Sequence, residues 1–376
     1  MTSSNIITED DRYRTSTQFR LWSFTRDSLN AVRTTTNRLA ADRVREAVRR
    51  AHEALSSADA SDADLENPSR GVSAMPEREI DCLTVEEELR LVTFYCRQTL
   101  QLGDHLLFPT QVKTTAVQYI KRFYITNSLM TYDPATILRT ALYFATKTEN
   151  HYCKLTKFAE AIDKTRPEDV LASEFLLTQG LRFTFDVRHP FRALEGAVME
   201  MNGIASGVIP YNTDVGERPQ NMGRRVKTAH GKAREYLKTS ALLTDVYFHY
   251  TPSQIMMATL LIADQELTHW YIASKIFLDD LAGHKILATL AECACMLQAI
   301  EPTVQAPPEE RKAAGALSKK LKKCRNPEKI DLVALQRVKR EGDGKVDEKI
   351  IKKRKLEREQ SAKEGEDLFG PSLKNS

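Results

Sequence analysis

Apolar residues along this chain recur at helical spacing, and the central region has none of the alternation of a half-buried strand. The block TVEEELRLVTFYCRQTLQLGDHL opens on Thr84 with Glu87 three positions later, the pattern of a capping box. Leu89, Val92, Tyr95, Cys96 and Thr99 then share one face. A second helix is predicted from Pro109, with Val112, Ala116, Tyr119, Ile120 and Phe123 in step. A third takes Asp133 as its cap and Pro134 as its first residue, and its apolar side is Ile137, Leu138, Ala141, Phe144 and Ala145. Its alanines predict a central rod closely surrounded by the others. Shorter helices are predicted from Leu155 to Ile162 and from Pro167 to Leu181, the latter with Val170, Leu171, Phe175 and Leu177 as apolar positions. Five helices with short turns make one all-α domain, bounded at residues 84–187.

The flanks differ in pattern. Residues 1–10 are polar and read as loose. From Thr25 a helix with Leu29, Val32 and Leu39 on one side runs to about Ala54, and SSADASDADLENPSRG (56–71) reads as an acidic, mobile connection closing an N-terminal region, 1–83. Downstream of DVRHPFRALEG, the Gly/Pro/Asn-rich stretch 201–223 reads as a loop. Helices resume at KTAHGKAREYLKTSALLTDVYFHY and TPSQIMMATLLIADQEL and continue to about Ile300. PTQV opens a helix at Pro109 and PSQI another at Pro252, which favours two copies of one helical module, the second spanning 188–300 with its inserted loop. A helical extension over 301–340 and a charged, disordered tail over 341–376 are expected beyond it.

Charge is unevenly spread. Between Lys319 and Arg358 sixteen Lys/Arg face seven Asp/Glu, while the whole chain carries only +4. The remainder is therefore slightly acidic, which argues against a whole-surface nucleic-acid binder. Six cysteines contain no C-x-x-C pair, and Cys293 and Cys295 have no second pair or histidine at zinc spacing, so they read as reduced thiols without a metal. The most apolar run, MMATLLIAD, is too short to span a bilayer, so no membrane partner is expected.

Catalytic motifs are absent: there is no G-x-G-x-x-G, P-loop, H-E-x-x-H or G-x-S-x-G, and neither a catalytic residue nor a cofactor is assigned. His105, His151 and His189 fall near helix ends and His249 precedes a helix start, positions that suit capping or solvent contact. The run Lys352, Lys353, Arg354, Lys355 is a candidate nuclear-import signal; no aromatics interleave it, so direct specific nucleic-acid binding is not expected. Lys147 stands just beyond the oily run ALYFA. Its stem can lie along Phe144 and Tyr143 while the ammonium reaches the helix end. Alternatively it offers its donors to an incoming chain, with a carboxylate such as Glu174 fixing its position.

Specific stretches then carry a resemblance. YIKRFYITNSLMTYDPATILRTALYFATKTEN, EFLLTQGLRFTFDVRHPFRALEG and LLTDVYFHYTPSQI closely resemble the cyclin family in its cyclin H branch, and YRTSTQFRLWSFT resembles that branch's leading helix region. The similarity runs with gaps from about Tyr13 to Cys324. It implies two tandem five-helix cyclin folds with flanking N- and C-terminal helices. It implies no enzymatic activity of the chain's own, but binding and activation of a cyclin-dependent kinase beside that kinase's αC helix. The implied complex is the CDK-activating kinase, with a RING-finger assembly subunit. It phosphorylates other cyclin-dependent kinases and, within the general transcription factor TFIIH, the RNA polymerase II C-terminal repeats, in the nucleus. By the same resemblance the family's kinase-contacting lysine and glutamate fall on Lys147 and Glu174, and flanking contact positions on Phe144 and Thr148. Glu149 keeps the family's acidic character, and Asn150 stands where relatives often have another acid. Two other readings compete: a DNA adaptor resembling transcription factor IIB, whose zinc ribbon has no counterpart before Glu86, and a structural scaffold without kinase activation.

Overall fold

The computed structural model of the chain describes residues 9–62, 80–162, 165–211, 216–276 and 281–325, and every regular element among them is a helix. The N-terminal segment forms α1 (Glu9–Thr15), α2 (Thr17–Trp22) and α3 (Arg26–Asp62). The first bundle is α4 (Val85–His105), α5 (Thr110–Thr126), α6 (Pro134–Thr148), α7 (Leu155–Glu160), α8 (Pro167–Ala172) and α9 (Glu174–Gly180). The second is α10 (Phe191–Ala205), α11 (Met222–Lys238), the short α12 (Ser240–Leu243) and α13 (Val246–His249), then α14 (Pro252–Ala263), α15 (Gln265–Ala273) and α16 (Leu281–Gln298). α17 (Pro308–Lys323) closes the described chain. All of these lie within one unit, residues 1–328.

The predicted starts form for the expected reasons. Thr84 and Glu87 exchange both bonds of a capping box, and Asp133 caps α6 through the Thr136 amide with Pro134 next in line. The repeat has a different register from the one the PTQV/PSQI match suggests. α14 packs on α10, α11 and α16 as α6 packs on α4, α5 and the α8–α9 pair. Pro252 is thus the counterpart of Pro134, each following a side-chain cap, whereas Pro109 precedes the second helix of its bundle.

α6 is surrounded by α4, α5, α8 and α9 as expected, and α5 is enclosed as well because α3 and α12 reach it from outside the bundle: every residue from Thr114 to Ile125 is buried, Lys121 and Arg122 included. Other expectations shift. In α3 the face against the body carries Leu29, Ala40, Ala41, Val44 and Ala47, while Leu39 is exposed; alanines let the long helix approach closely. α3 also continues to Asp62, through the first residues of the predicted acidic connection, the rest of which lies outside the described residues. The predicted loop at 201–223 begins too early, because α10 runs to Ala205 and buries Met201 and Ile204. The predicted helix from Pro167 to Leu181 is two, broken at Ser173.

One buried charge cluster joins three regions. Arg33 of α3 makes a bidentate pair with Asp245 at 2.7 and 2.9 Å, and Lys121 of α5 stands 3.5 Å from the same carboxylate while donating to the Thr244 carbonyl. Lys121 keeps 5% of its side chain exposed and Arg33 11%, so both cations have little access to water, while Asp245 is 29% exposed. Burial by itself would raise the Asp245 pKa; Lys121 and Arg33 outweigh it and hold the carboxyl well below the usual range. Beside this cluster Arg122 donates to Gln18 and to the Asp186 carbonyl and lies over the Trp22 ring, and Trp22 donates to Thr184 at 2.9 Å. The Phe24 amide donates to the Phe248 carbonyl, and the His249 ring meets the Phe24 carbonyl at 2.9 Å.

At the other end α17 returns from the second bundle to α4. Arg97 pairs with Glu310, Lys320 with Glu87 and Asp81, and Arg325 with Asp133, around buried Ala314, Leu321 and Cys324.

His189, just before α10, is a buried link rather than the expected cap. Its ring lies between Thr114 and Thr115 of α5 and Tyr247 of α13, and both nitrogens are taken by partners although part of the residue reaches solvent. Burial, and beyond it the Arg122 guanidinium, holds the imidazole pKa down at about 3.

Two outcomes follow from these groups. Asp245→Asn leaves Lys121 and Arg33 buried without a counter-charge and is expected to cost about 3 kcal/mol in urea unfolding; an unchanged midpoint would mean the cations find water instead. For His189 the unfolded imidazole titrates near pH ~6.5 and the folded one much lower, so the unfolded chain binds the extra proton in between. Stability therefore falls as pH drops below about 6.5 and does not depend on this group above it. Between pH ~7.5 and ~5.5 the parent chain should lose about 1.4 kcal/mol more than His189→Gln, and equal losses would exclude a neutral, enclosed ring.

Candidate functional site

The oily run before Lys147 is the body of α6, where Ala141, Leu142 and Ala145 are fully buried against neighbouring helices. The helix ends in a Schellman arrangement: the His151 amide donates to the Thr146 carbonyl at 2.8 Å and the Asn150 amide to the Lys147 carbonyl at 3.4 Å. Asn150 sits at φ 53°, in the left-handed region that asparagine tolerates better than most side chains.

Lys147 leaves the last turn of α6 pointing outward. Its ammonium donates to both oxygens of Glu174, at 2.6 and 2.8 Å, and stands 5.0 Å from the centre of the Tyr143 ring. The break at Ser173 makes this possible, since it places Glu174 at the first position of α9 instead of inside a continuous helix. A cation at a helix C-terminus and an anion at a helix N-terminus each also suit the local backbone dipoles. The side chains remain 42% and 24% exposed, so the pair contributes little to folding, about 0.2–1 kcal/mol. What it provides is a fixed ammonium and carboxylate side by side at the surface, with donor and acceptor capacity left over.

The remaining predicted contact residues have partners inside the fold. Phe144 is only 8% exposed and packs edge-on against Phe185 at 5.0 Å and against Tyr119 at 5.7 Å, so it supports the ledge from beneath. The Tyr119 hydroxyl donates its one proton to the Phe185 carbonyl at 2.8 Å and accepts from Thr148 at 2.9 Å, and Glu149 accepts a bond from Thr115 at 2.6 Å. Two exposed aromatics stand close in sequence to the pair: Phe175, 58% exposed, and Tyr152, 90% exposed. The apolar spacing counts Phe175 among the buried helix positions, but it stands two residues before fully buried Leu177 and so on the opposite side of the helix, which was the available signal. Lys352, Lys353, Arg354 and Lys355 lie outside the described residues.

Among the described residues no group of three His, Cys, Asp or Glu side chains is placed to hold a metal, and no helix is long and apolar enough to cross a membrane. The cysteines are free thiols, and burial pushes Cys96 and Cys293 up to about 12, away from nucleophilic chemistry. The arrangement can grip a partner's polar backbone groups.

Comparison with known proteins bears on what that partner class is. The family description "Cyclin, N-terminal domain" matches residues 93–186, and "Cyclin C-terminal domain" matches residues 189–298. Cyclin CCL1 of Saccharomyces cerevisiae is 35% identical over 269 residues, which is 72% of this chain and 62% of that protein. Cyclin mcs2 of Schizosaccharomyces pombe is 30% identical over 320 residues, 84% of this chain and 86% of its own length. Among solved structures, a chain of the CAK complex of Chaetomium thermophilum bound to ATP-gamma-S aligns with a TM-score of 0.69 at 38% identity, covering 89% of this chain and 96% of that one. A chain of the yeast TFIIK (Kin28/Ccl1/Tfb3) complex aligns with a TM-score of 0.52 at 31% identity, covering 76% of this chain and all (100%) of that one. Two bundles with matching helix order, each recognised by a cyclin domain description and together aligned along most of mcs2, make this chain a member of the cyclin family, of the cyclin H type.

Proposed function

We propose that this cyclin is a non-catalytic subunit that binds and activates a cyclin-dependent kinase, in a CDK-activating kinase assembled with a RING-finger subunit. Support comes from relatives whose structures are a CAK complex and a TFIIK complex, and from the paired charges at the end of α6. Activity toward other cyclin-dependent kinases and, within TFIIH, toward the RNA polymerase II C-terminal repeats belongs to the same reading, as does a nuclear location.

The single observation that carries the docking mode is the Lys147–Glu174 pair, held 2.6 Å apart at the surface with Phe175 exposed beside it. The ammonium suits carbonyl oxygens and the carboxylate suits amide hydrogens, the two kinds of group that a helix end presents. A kinase transfers phosphoryl groups efficiently only when its strand lysine pairs with the αC glutamate and its metal-binding aspartate is in place. A rigid helical ledge that binds αC better in that position shifts the kinase population toward it, with no chemical step on the cyclin. Apolar contact around the pair supplies affinity, and the charges set register.

Exchanging the charges tests this directly. In the double variant Lys147→Glu, Glu174→Lys the ion pair can re-form, so the urea midpoint of the free chain should hold. The ledge then presents donors and acceptors in reversed places, and affinity for the kinase is expected to drop about tenfold, with a parallel loss of kinase activation. Binding at parental strength by a correctly folded variant would remove the pair from the docking mode.

A further inference from the structure

Glu149 and Thr148, the two residues after Lys147, are both held by α5, from positions one helical turn apart. The Tyr119 hydroxyl reaches Thr148 Oγ1 at 2.9 Å, and Thr115 Oγ1 reaches Glu149 Oε1 at 2.6 Å. Thr115 does not end there, since its hydroxyl oxygen is also 2.9 Å from His189 Nε2. His189 Nδ1 is in turn 3.0 Å from the hydroxyl of Tyr247, a residue of α13 in the second half of the chain that is 2% exposed.

The direction of each bond follows from what each group can do. A carboxylate only accepts, so the Thr115 proton goes to Glu149 and toward the ring Thr115 can only accept. His189 Nε2 therefore carries the proton. In a neutral ring Nδ1 must then accept, and the proton on that bond comes from Tyr247. Thr114 stands 3.3 Å from the same Nε2, but its own proton goes to the Gln111 carbonyl, so it can only share the ring's donor. Tyr247 to His189, His189 to Thr115, Thr115 to Glu149 is one continuous series: the Tyr247 hydroxyl starts it as donor, the imidazole and the Thr115 hydroxyl each accept and donate, and the Glu149 carboxylate ends it as acceptor. Thr115 is fully buried and Tyr247 nearly so, and removing either hydroxyl takes a partner from the next group in the series, half-buried His189 or half-buried Glu149.

We propose that this series is a positioning relay, through which the second bundle sets the placement of the α6 end and so the affinity of a docking ledge that lies wholly in the first. The functional consequence rests on the kinase-docking reading above; the placement of the α6 end does not. Tyr247 is 58 residues from His189 and touches neither Lys147 nor Glu174 in the hydrogen-bond and ion-pair geometry, so an effect of Tyr247 on the ledge has to travel through the intervening groups.

Hydrogen exchange of the full chain, without kinase, tests the relay. Tyr247→Phe and Thr115→Val each delete one hydroxyl with little change of shape. Both are expected to speed exchange of the Glu149, Asn150 and His151 amides about tenfold, leaving the buried amides of α16 unchanged; Thr115→Ser, which restores the hydroxyl, should return those amides to within about twofold of the parent. Kinase affinity should fall about fivefold in Tyr247→Phe and Thr115→Val and recover in Thr115→Ser. If Tyr247→Phe leaves the three amides at parental rates, or if every protected amide speeds up together, the relay is refuted and the contacts are ordinary packing. Failure of the docking reading is separately visible: the charge-exchanged Lys147/Glu174 variant would bind kinase normally while the exchange result on the free chain still stood.

Discussion

A carboxylate enclosed between two cations is the constraint on which the arrangement of this protein depends. Asp245 meets Arg33 from the N-terminal helix and Lys121 from α5 of the first bundle, and each of the three comes from a different region of the chain. Lys121 is buried because α5 is covered from inside its bundle and by α3 and α12 from outside it, and an ammonium taken out of water without an anion beside it is costly enough to unfold a marginal domain. The segment from Ser240 to Tyr250 must therefore lie across the first bundle for that bundle to tolerate its own lysine. Buried Leu242, Val246 and Phe248 accompany the charge and add apolar contact to the same junction. Two cyclin folds, an N-terminal helix and the connection at Asp186 become one body because a polar requirement in one is met only by another.

That junction contrasts with the pair at the ledge. At the junction it is the cations that are shut away, Lys121 buried and Arg33 nearly so, and they depend on an Asp245 that itself still reaches solvent. Lys147 and Glu174 meet where water is plentiful, so their mutual attraction is weak and breaking it costs the fold little. Charges that matter little for folding, yet are fixed by a helix end on each side, suit recognition. They are pre-oriented, and the groups they expose are the complement of a helix terminus. Phe144, Thr148 and Glu149, close to Lys147 in sequence, are tied instead to Phe185, Tyr119 and Thr115 within the fold.

The two-bundle architecture also gives α17 a purpose. Having crossed the second bundle, the chain returns to clamp α4 of the first, where Lys320 joins the glutamate already engaged in the Thr84 capping box. Flanking helices from both termini thus close over the first bundle, on sides that leave the end of α6 open.

Helix content and caps were legible in the sequence, because they rest on local rules: a side chain that caps three residues ahead, a proline that suits only a first turn, an apolar spacing of three and four. The cyclin character came through the resemblance of whole stretches. Chemistry alone offered Glu174 as one candidate partner for Lys147, and the resemblance singled it out, since twenty-seven positions separate the two and no local rule joins them. What tertiary structure decided were the choices that depend on a neighbour. Lys121 and Arg122 look like solvent positions until Asp245, Gln18 and Trp22 arrive from elsewhere, and His189 looks like a helix-end residue until Tyr247 and Thr115 close on it. Leu39 and Phe175 look like core until Ala40 and Leu177 take the inward face instead. A polar group is buried when its partners are brought to it, and those partners lie too far along the chain for spacing to announce them.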